Sequence, residues 1–270
     1  MHSDQATDLL AFVILLVLAL ALVAWALRWY RRETHYTLAQ APFWLLNLIY
    51  TRVAWRTTIS GPLPVAENQG AVIVCNHSSS LDPSFIQLAT NRVVHWMVAR
   101  EYCLHWAMAW IFRIVESIPV NRGGVDTAAT KMAIRYAQEG GLVGIFPEGQ
   151  INHSDQVLLP GRPGAALIAL KARVPVIPCY VSGAPYDGTE FGCLLMTAKT
   201  HLEVGQPIDI SEYYERDDEK EVLELLTKRF LIEIARLAGA TDFVPRLAGR
   251  HWKPLRAEEP EHVAPSSTRR

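Results

Sequence analysis

The chain has 270 residues, a length that suits one domain with a short appendage. Half of its residues are hydrophobic and a fifth are charged, which excludes wholesale disorder and collagen-like repeats. The 26 Lys and Arg residues balance the 27 Asp and Glu residues, so the charge gives no case for a nucleic-acid-binding protein.

The N-terminal segment 9–27 is an uninterrupted apolar run without Gly or Pro. As a helix it would be about 28 Å long, close to the thickness of a bilayer core. A cleaved signal peptide is the alternative, but the residues before the run include acids and neither Lys nor Arg. Arg28, Arg31 and Arg32 follow the run, so the positive-inside rule predicts an N-terminus outside and a cytoplasmic remainder. We therefore expect residues 1–32 to form a single-pass anchor in the cell membrane.

A second apolar stretch, residues 42–55, is rich in aromatic side chains but is interrupted by Asn47 and Arg52. It is too short and too polar to span a bilayer. Pro42 suits the first turn of a helix. We expect the region 33–56 to hold an amphipathic helix that lies in the membrane interface, with its arginines towards lipid phosphates. An ordinary amphipathic helix packed on the domain is the alternative.

Beyond residue 57, short apolar runs typical of buried strands alternate with helical patterns. The pattern predicts strands at 71–75, 93–98, 117–120, 142–146, 174–181 and 201–204. It predicts helices that begin at Pro83 and Asp126 and further helices at 102–113, 161–171 and 211–237. This alternation predicts an α/β domain over residues 57–245, with a largely parallel sheet flanked by helices. Residues 246–270 are expected to be a disordered tail.

The four cysteines, Cys75, Cys103, Cys179 and Cys193, form no CxxC pair and have no His at a recognisable metal-ligand spacing. Three of them lie in apolar runs and are interpreted as small core residues. A cytoplasmic domain would keep them reduced, and no metal site is expected.

The first chemically distinctive loop follows the strand at 71–75 and has the pattern NHx4D, from Asn76 through His77 to Asp82. Histidine is the side chain most easily poised as a general base near neutral pH. A carboxylate that accepts a hydrogen bond from the other ring nitrogen, the one that does not take the proton, fixes the tautomer and stabilises the imidazolium. The spacing allows His77 and Asp82 to meet on one turn, although a chance pair in an ordinary turn is the alternative.

A second loop, FPEG at residues 146–149, follows another predicted strand. Glu148 in such a turn can face a cleft, and Gly149 permits close approach of the backbone. Between the two loops, Arg122 follows the predicted strand at 117–120, and arginine suits bidentate binding of phosphate. A polar turn and a surface arginine are the plainer alternatives. Active sites of open α/β sheets collect at strand ends such as these.

Together, these segments resemble a known family. The motifs NHx4D and FPEG, the Arg122 segment and the strand at 174–178 occur in the order of four blocks of the glycerolipid acyltransferases. The resemblance is closest to the 1-acylglycerol-3-phosphate (lysophosphatidic acid) acyltransferases and covers about residues 57–210. An N-terminal membrane-binding helical region also fits this family.

The resemblance implies a role for each motif residue. His77 would be the general base that takes the proton of an acceptor hydroxyl as its oxygen attacks an acyl thioester, and Asp82 would orient His77. Arg122 and Glu148 match residues assigned to acceptor binding, the arginine to the phosphate, and Gly149 would let the loop close on the acceptor. No acyl-enzyme is needed, so the mechanism requires no nucleophilic Ser or Cys.

The resemblance also implies the partners. The donor would be acyl-CoA or the thioester of acyl carrier protein, and the acceptor would come from the membrane lipids. No further cofactor, metal or nucleic acid is expected. Asn76 is included among the substrate-binding candidates, because its amide can polarise or position a neighbour.

The chain departs from the family pattern directly after FPEG, where the family commonly has Thr-Arg and this sequence has Gln150 and Ile151. One phosphate-binding cation is therefore missing, and Arg162 is the candidate that would compensate. We expect the transferase chemistry to be intact, most simply with 1-acylglycerol-3-phosphate as acceptor to give phosphatidic acid in phospholipid synthesis. Another lysophospholipid, or an alcohol or amine without phosphate, stays open as the acceptor.

Two alternatives belong to other classes of protein. Water in place of the acceptor would make the protein a thioesterase or lipid hydrolase, but the sequence has no G-x-S-x-G, which disfavours a nucleophile-elbow hydrolase. The serines at 78–80 are more typical of turn chemistry than of a nucleophile. A membrane-anchored binder without activity is disfavoured because His77, Asp82 and Glu148 are all present.

Overall fold

The structure, a computed structural model, describes residues 2–121, 126–186, 188 and 192–249, with side chains from residue 10 onward. The helices are α1 (His2–Glu33), α2 (Ala41–Ile49), α3 (Asp82–Ile86), α4 (Arg100–Cys103), α5 (Ala109–Ile114), α6 (Thr127–Gln138), α7 (Gly164–Ala172) and α8 (Lys220–Leu237). The strands are β1 (Thr58–Ile59), β2 (Ala71–Cys75), β3 (Val94–Ala99), β4 (Ile118–Val120), β5 (Leu142–Ile145), β6 (Val176–Ser182) and β7 (His201–Val204). A π-helical turn (Tyr50–Ala54) extends α2, and 3-10 turns cover Gln87–Ala89, Gly192–Leu195 and Ser211–Arg216.

Within the described residues, seven strands form one sheet in the order β1-β7-β6-β2-β5-β3-β4. Of the neighbouring pairs, β6 and β7 are antiparallel and the rest are parallel. The predicted α/β class, with a largely parallel sheet flanked by helices, is therefore confirmed. Because β2 pairs with β5, with Val74 opposite Ile145, the loops that follow these two strands start side by side. This pairing brings the NHx4D and FPEG motifs to the same edge of the sheet.

The sheet is buried on both faces, and β2 illustrates how. All five of its side chains are buried, and successive residues point to opposite faces. Val72 and Val74 belong to the cluster that the sheet forms with α6, α7 and α8, whereas Ile73 belongs to a second cluster with Trp55 and Phe85. A sheet covered on both faces is typical of parallel α/β domains. These two clusters fix the strand ends from which the motif loops emerge.

The N-terminal helix α1 leaves its apolar side chains exposed. Its segment Leu10–Glu33 is long and apolar enough to cross a membrane, and none of its most apolar window is buried against the rest of the protein. The connection from α1 to α2 is docked on the domain, since the His35 N–H donates to the Asn91 carbonyl and the Gln87 amide donates to the Tyr36 hydroxyl at 2.7 Å. The expected apolar N-terminal helix is confirmed, whereas its orientation in a membrane stays a prediction.

Helix α2 has Pro42 in its first turn, as predicted. The Asn47 amide donates to the Ser84 carbonyl at 3.0 Å, which fastens one face of α2 to α3. The other face is apolar and exposed, and it presents Leu45, Leu46, Ile49 and Val53. The helix therefore packs on the domain and leaves an apolar face exposed, whereas its place in the membrane interface stays a prediction.

The prediction of one helix over residues 102–113 is wrong. The chain forms α4 and α5, with a turn over residues 104–108 between them. An apolar run does not by itself reveal where a helix breaks, because its periodicity is the same for one helix or two. The break leaves Leu104 and Trp106 exposed, with 65% and 87% of their surface accessible.

The prediction of one helix over residues 211–237 is also wrong in its first third. A 3-10 turn covers Ser211–Arg216, and the α-helix begins at Lys220. The Lys171 ammonium donates to Asp217 at 2.9 Å and to Asp218 at 2.7 Å, which stabilises the turn between the two segments. Aspartate also disfavours a helix interior because its side chain competes for backbone hydrogen bonds.

The first residues of the predicted tail are paired with the domain. The Gly161 N–H donates to the Arg246 carbonyl at 2.9 Å, and the Ala248 N–H donates to the Gly161 carbonyl at 2.9 Å. The prediction that disorder begins at residue 246 is therefore corrected: residues 246–248 pair with Gly161, which is distant in sequence. Residues 250–270 lie outside the described part of the chain, and the divisions predicted at residues 32, 56 and 245 stay predictions.

Candidate active site

His77 and Asp82 meet directly after β2. The Nδ1 atom of His77 lies 3.0 Å from Oδ2 of Asp82. Because a carboxylate oxygen only accepts hydrogen bonds, Nδ1 bears the hydrogen of this contact, and Nε2 is the ring nitrogen that has the lone pair when the imidazole is neutral. The His77 side chain is 16% exposed and lines a large cavity, so its basic nitrogen is accessible to a substrate.

The carboxylate of Asp82 is fully buried and is held by the backbone of its own turn. Its Oδ2 accepts the N–H of Ser78 at 2.7 Å and that of Ser79 at 2.9 Å, in addition to His77. These donors compensate for the loss of water around the charge. The Ser79 hydroxyl donates to the Pro185 carbonyl at 2.6 Å. Both serines therefore build the turn, which agrees with their interpretation as turn residues.

The imidazole of His77 is also held through its flat face. The ring of Phe146 is nearly parallel to it, with centroids 3.9 Å apart, and Trp96 stacks on Phe146 with centroids 4.7 Å apart. Gly144 makes room for this arrangement, since a Cβ there would lie 2.5 Å from the Trp96 indole. The stack restricts rotation of the imidazole, and an aromatic face attracts the positive charge of an imidazolium. Sequence reasoning missed these aromatic residues, although the phenylalanine of FPEG was a visible signal.

Glu148 is fully buried behind His77 and does not line the cavity. Its Oε1 accepts the His77 N–H at 2.8 Å, and its Oε2 accepts the Leu159 N–H at 2.8 Å. Burial raises the pKa of Glu148 to about 8, although the N–H groups of Leu159 and His77 lower it and nearby Asp82 raises it. The carboxyl group therefore joins the NHx4D loop to the loop after FPEG, and both of its oxygens are occupied by the protein itself.

Asn76 is likewise occupied by the fold. Its side-chain amide donates to the Val181 carbonyl at 2.9 Å, and its carbonyl accepts the Val181 N–H at 2.7 Å. This reciprocal pair extends the β2–β6 pairing by one step beyond the end of β2. Asn76 is buried and does not line the cavity, so it fixes the direction in which the chain enters the His77 turn.

Gly149 and Arg162 lie together at the wall of the cavity. The backbone of Gly149 has φ +71°, a left-handed conformation that glycine adopts without strain. A Cβ at this position would lie 3.2 Å from Cδ and Nε of Arg162, so the missing side chain leaves room for the guanidinium. The Arg162 N–H donates to the Pro147 carbonyl at 2.8 Å, which ties the arginine to the FPEG loop.

The cavity that joins these residues has a volume of about 1590 Å³, larger than the 300–1,000 Å³ of typical ligand pockets. Its lining includes apolar side chains, among them Met97, Val98, Phe112, Val120 and Ile168. It also includes the polar or charged side chains of His77, Gln150, Arg162 and Arg246. A cavity of this size and lining can hold a ligand with a long hydrocarbon chain and a polar head.

Of the residues proposed from the sequence, the structure brings His77, Asp82, Glu148, Gly149 and Arg162 together around the two strand ends. Arg122 lies outside the described residues. Arg246 was not found from the sequence, because nothing in its surroundings resembles a motif and it lay in the predicted tail.

Comparison with known proteins agrees with the motifs. Residues 56–182 match the family model described as Acyltransferase. A 1-acyl-sn-glycerol-3-phosphate acyltransferase of Bacillus subtilis is 28% identical over 65% of this chain and 84% of its own length. A protein of the same name from Streptococcus pneumoniae is 27% identical over 65% of this chain and 63% of its own length. The human 1-acyl-sn-glycerol-3-phosphate acyltransferase beta is 32% identical over 47% of this chain and 46% of its own length.

The fold is shared with a solved structure, that of the 1-acyl-sn-glycerophosphate (LPA) acyltransferase of Thermotoga maritima. The TM-score is 0.52 with 19% sequence identity, over 70% of this chain and 74% of the other. This chain covers less than two thirds of the length of the streptococcal and human relatives. The motifs and the family model agree, and residues 56–182 are similar to the Acyltransferase family and to proteins named 1-acyl-sn-glycerol-3-phosphate acyltransferase.

Proposed function

We propose that the protein transfers an acyl group from an acyl thioester to the free hydroxyl of 1-acylglycerol-3-phosphate, giving phosphatidic acid for phospholipid synthesis. The observation behind this proposal is the His77–Asp82 pair, which opens into a cavity lined both by apolar side chains and by two arginines. The names of the two bacterial relatives support the choice of acceptor.

The reaction needs one base and no covalent enzyme intermediate. Nε2 of His77 takes the proton of the acceptor hydroxyl as its oxygen forms a bond to the thioester carbonyl carbon. The imidazolium that results is stabilised by Asp82 and by the face of Phe146. The tetrahedral intermediate then loses its C–S bond, and His77 returns the proton to the departing thiolate. The products are the ester and the free thiol.

The donor in this proposal is the thioester of coenzyme A or of acyl carrier protein, and no other cofactor takes part. The acyl chain lies along the apolar wall of the cavity, where burial contributes about 0.8 kcal/mol for each CH₂ group. Arg162 binds the acceptor phosphate, and Arg122 is its partner by resemblance. Glu148 and Asn76 act through the backbone of the His77 turn and are positioning residues.

The membrane location is part of the same proposal, since the acceptor and the product are both lipids. Helix α1 crosses the cell membrane once, with the catalytic domain on the cytoplasmic side. The exposed face of α2 and the exposed Leu104, Trp106 and Trp110 then lie at the leaflet surface. The rings of Phe43 and Trp110, with centroids 5.6 Å apart, join these two groups into one surface.

The test is an assay of the detergent-solubilised full chain, with either long-chain acyl-CoA or acyl-acyl carrier protein as donor and free thiol as readout. The acceptors are 1-acylglycerol-3-phosphate, other lysophospholipids and none. We expect thiol release that depends on 1-acylglycerol-3-phosphate, with phosphatidic acid identified by mass. Equal thiol release without an acceptor would overturn the proposal in favour of a thioesterase. Release with a different lysophospholipid, but not with 1-acylglycerol-3-phosphate, would show that the different lipid is the acceptor.

A further inference from the structure

The C-terminal segment places an arginine beside Arg162. Gly161 and Leu247 form an isolated parallel bridge, which places the segment around Arg246 next to the segment that holds Pro160 and Arg162. Pro160, Arg162 and Arg246 all line the cavity, whereas Gly161 faces the opposite way, where a Cβ would lie 2.8 Å from Leu231. The two arginines therefore extend from two neighbouring segments to the wall of the same cavity.

The charges of these arginines are not compensated by acids. No Asp or Glu lines the cavity in the part of the chain that the structure describes. Among those same residues, no hydrogen bond or ion pair occupies the Arg162 guanidinium. The Arg246 guanidinium donates to the side-chain carbonyl of Gln156, which is a neutral group. Both arginines are exposed, so water weakens each attraction, but two cations without acidic partners on one cavity wall still favour an anionic ligand over a neutral one.

We propose that Arg246 binds the phosphate of the acceptor together with Arg162, and so supplies the cation that this chain lacks directly after FPEG. This inference rests on the proposed function and assigns its acceptor specificity to a residue outside the family-matched segment 56–182. Gln150 and Ile151, which stand where the family commonly has Thr-Arg, line the same cavity but bear no charge. Arg246, in the C-terminal segment that pairs with Gly161, lines the same cavity and supplies the positive charge that these two residues lack.

The geometry of a phosphate monoester suits two arginines. Each planar guanidinium can donate two parallel N–H bonds to phosphate oxygens, and two guanidinium groups together neutralise a dianion. The pairing of residues 246–248 with Gly161 fixes the start of the Arg246 side chain, so less conformational entropy is lost when the phosphate binds. Coenzyme A also has phosphate groups that an arginine can bind. The experiment must therefore distinguish binding of the acceptor phosphate from binding of the donor phosphates.

The test compares Arg246→Gln and Arg246→Lys with the wild type in steady-state kinetics, with acyl-CoA and 1-acylglycerol-3-phosphate varied in turn. We expect Arg246→Gln to raise the KM for the acceptor about tenfold, since a charge-assisted hydrogen bond is lost. The KM for acyl-CoA and the kcat are expected to stay within about twofold, and the lysine variant is expected to recover part of the affinity. Arg229→Gln, an exposed arginine of α8 outside the cavity wall, is the matched control.

A binding measurement without turnover separates this inference from the proposed function. Isothermal titration of the full chain in detergent, without donor, compares 1-acylglycerol-3-phosphate with 1-acylglycerol. A preference for the phosphate that Arg246→Gln removes supports the inference, even if no transfer is observed. An unchanged acceptor KM and unchanged binding in Arg246→Gln would overturn it while leaving the transferase proposal intact. A selective rise in the KM for acyl-CoA would also overturn it, because the arginine would then bind the donor.

Discussion

The two sides of the active site differ in how their polar groups are satisfied. On the catalytic side, Asp82 and Glu148 are fully buried and bound by backbone N–H groups, those of its own turn for Asp82 and those of two other loop positions for Glu148. On the acceptor side, Arg162 and Arg246 face a cavity whose described wall contains no acid. The fold therefore uses its own hydrogen bonds to hold the proton-transfer geometry and leaves its cations available for a ligand. We infer that the catalytic side sets the chemistry and the acceptor side sets the substrate.

The largest expected effect is on the catalytic side. His77→Ala removes the base, and we expect kcat to fall about 10²- to 10⁴-fold while the protein stays folded and membrane-bound. His153→Ala is the matched control, since His153 also lines the cavity but contacts Tyr186 and not Asp82. Thiol release in the presence of acceptor measures both variants. Undiminished turnover by His77→Ala would contradict the mechanism.

The next effect concerns the buried carboxyl group that joins the two motif loops. In the unfolded chain, Glu148 has lost its proton above about pH 4.5, whereas the folded protein, with the pKa raised to about 8, keeps the proton longer. The folded state then binds more protons, so the free energy of unfolding falls as the pH rises from about 5 to about 8. The glutamine of the Glu148→Gln variant does not titrate. We therefore expect the variant to lose this contribution to the pH dependence of the free energy of unfolding.

The measurement for Glu148 is the denaturation midpoint of wild type and Glu148→Gln at pH values between 5 and 9. The two proteins should differ least near pH 5, where a protonated Glu148 and a glutamine have similar hydrogen-bonding capacity. We also expect about a tenfold loss of kcat in the variant, because the backbone anchor of His77 is altered. Parallel stability curves over the whole range would refute the assignment of the pH dependence to Glu148.

A smaller effect is expected on the acceptor side from Gly149→Ala. The left-handed backbone costs about 1–2 kcal/mol for a residue with a Cβ, and the new methyl group contacts Arg162. We expect the KM for the acceptor to rise a few-fold with little change in kcat. Gly239→Ala introduces similar strain at φ +79° with nothing within 4 Å, so it should lower stability without changing KM. A loss of kcat instead of affinity in Gly149→Ala would place this loop on the catalytic side.

The smallest effect is a spectroscopic one, at the proposed membrane surface. A fluorophore attached to Trp106→Cys should be quenched by nitroxide-labelled lipids after reconstitution, whereas the same fluorophore on Glu221→Cys of α8 should not. The described native cysteines are all buried, which favours selective labelling. Equal quenching at both positions would show that the turn at residues 104–108 does not contact the leaflet.

Much of the catalytic side is predictable from the sequence, because its determinants are local. His77 and Asp82 are five positions apart, and the alternation of apolar strands with helices predicts the parallel sheet whose edges hold both motifs. The role of Glu148 is not predictable in this way. Its two oxygens bind N–H groups that are 71 and 11 positions away, and only the pairing of β2 with β5 brings the first of them close.

The acceptor side is less predictable because its determinants are distant in sequence. Arg162 was proposed from the sequence as the cation that compensates for the missing Thr-Arg, but Arg246 reaches the cavity through a single bridge between Gly161 and Leu247. One bridge has no periodicity, and the Pro- and Arg-rich composition that follows favours disorder over pairing. The break between α4 and α5 was missed for a related reason, since an apolar run has the same pattern with or without a turn.

The most direct test of the division between the two sides is the acceptor preference of wild type and of Arg162→Gln/Arg246→Gln. The quantity measured is the ratio of kcat/KM for 1-acylglycerol-3-phosphate to that for 1-acylglycerol. We predict that the wild type strongly prefers the phosphate and that the double variant loses about 100-fold of this ratio, with kcat/KM for 1-acylglycerol unchanged within about threefold. An unchanged ratio, or an equal fall with both acceptors, would contradict the account.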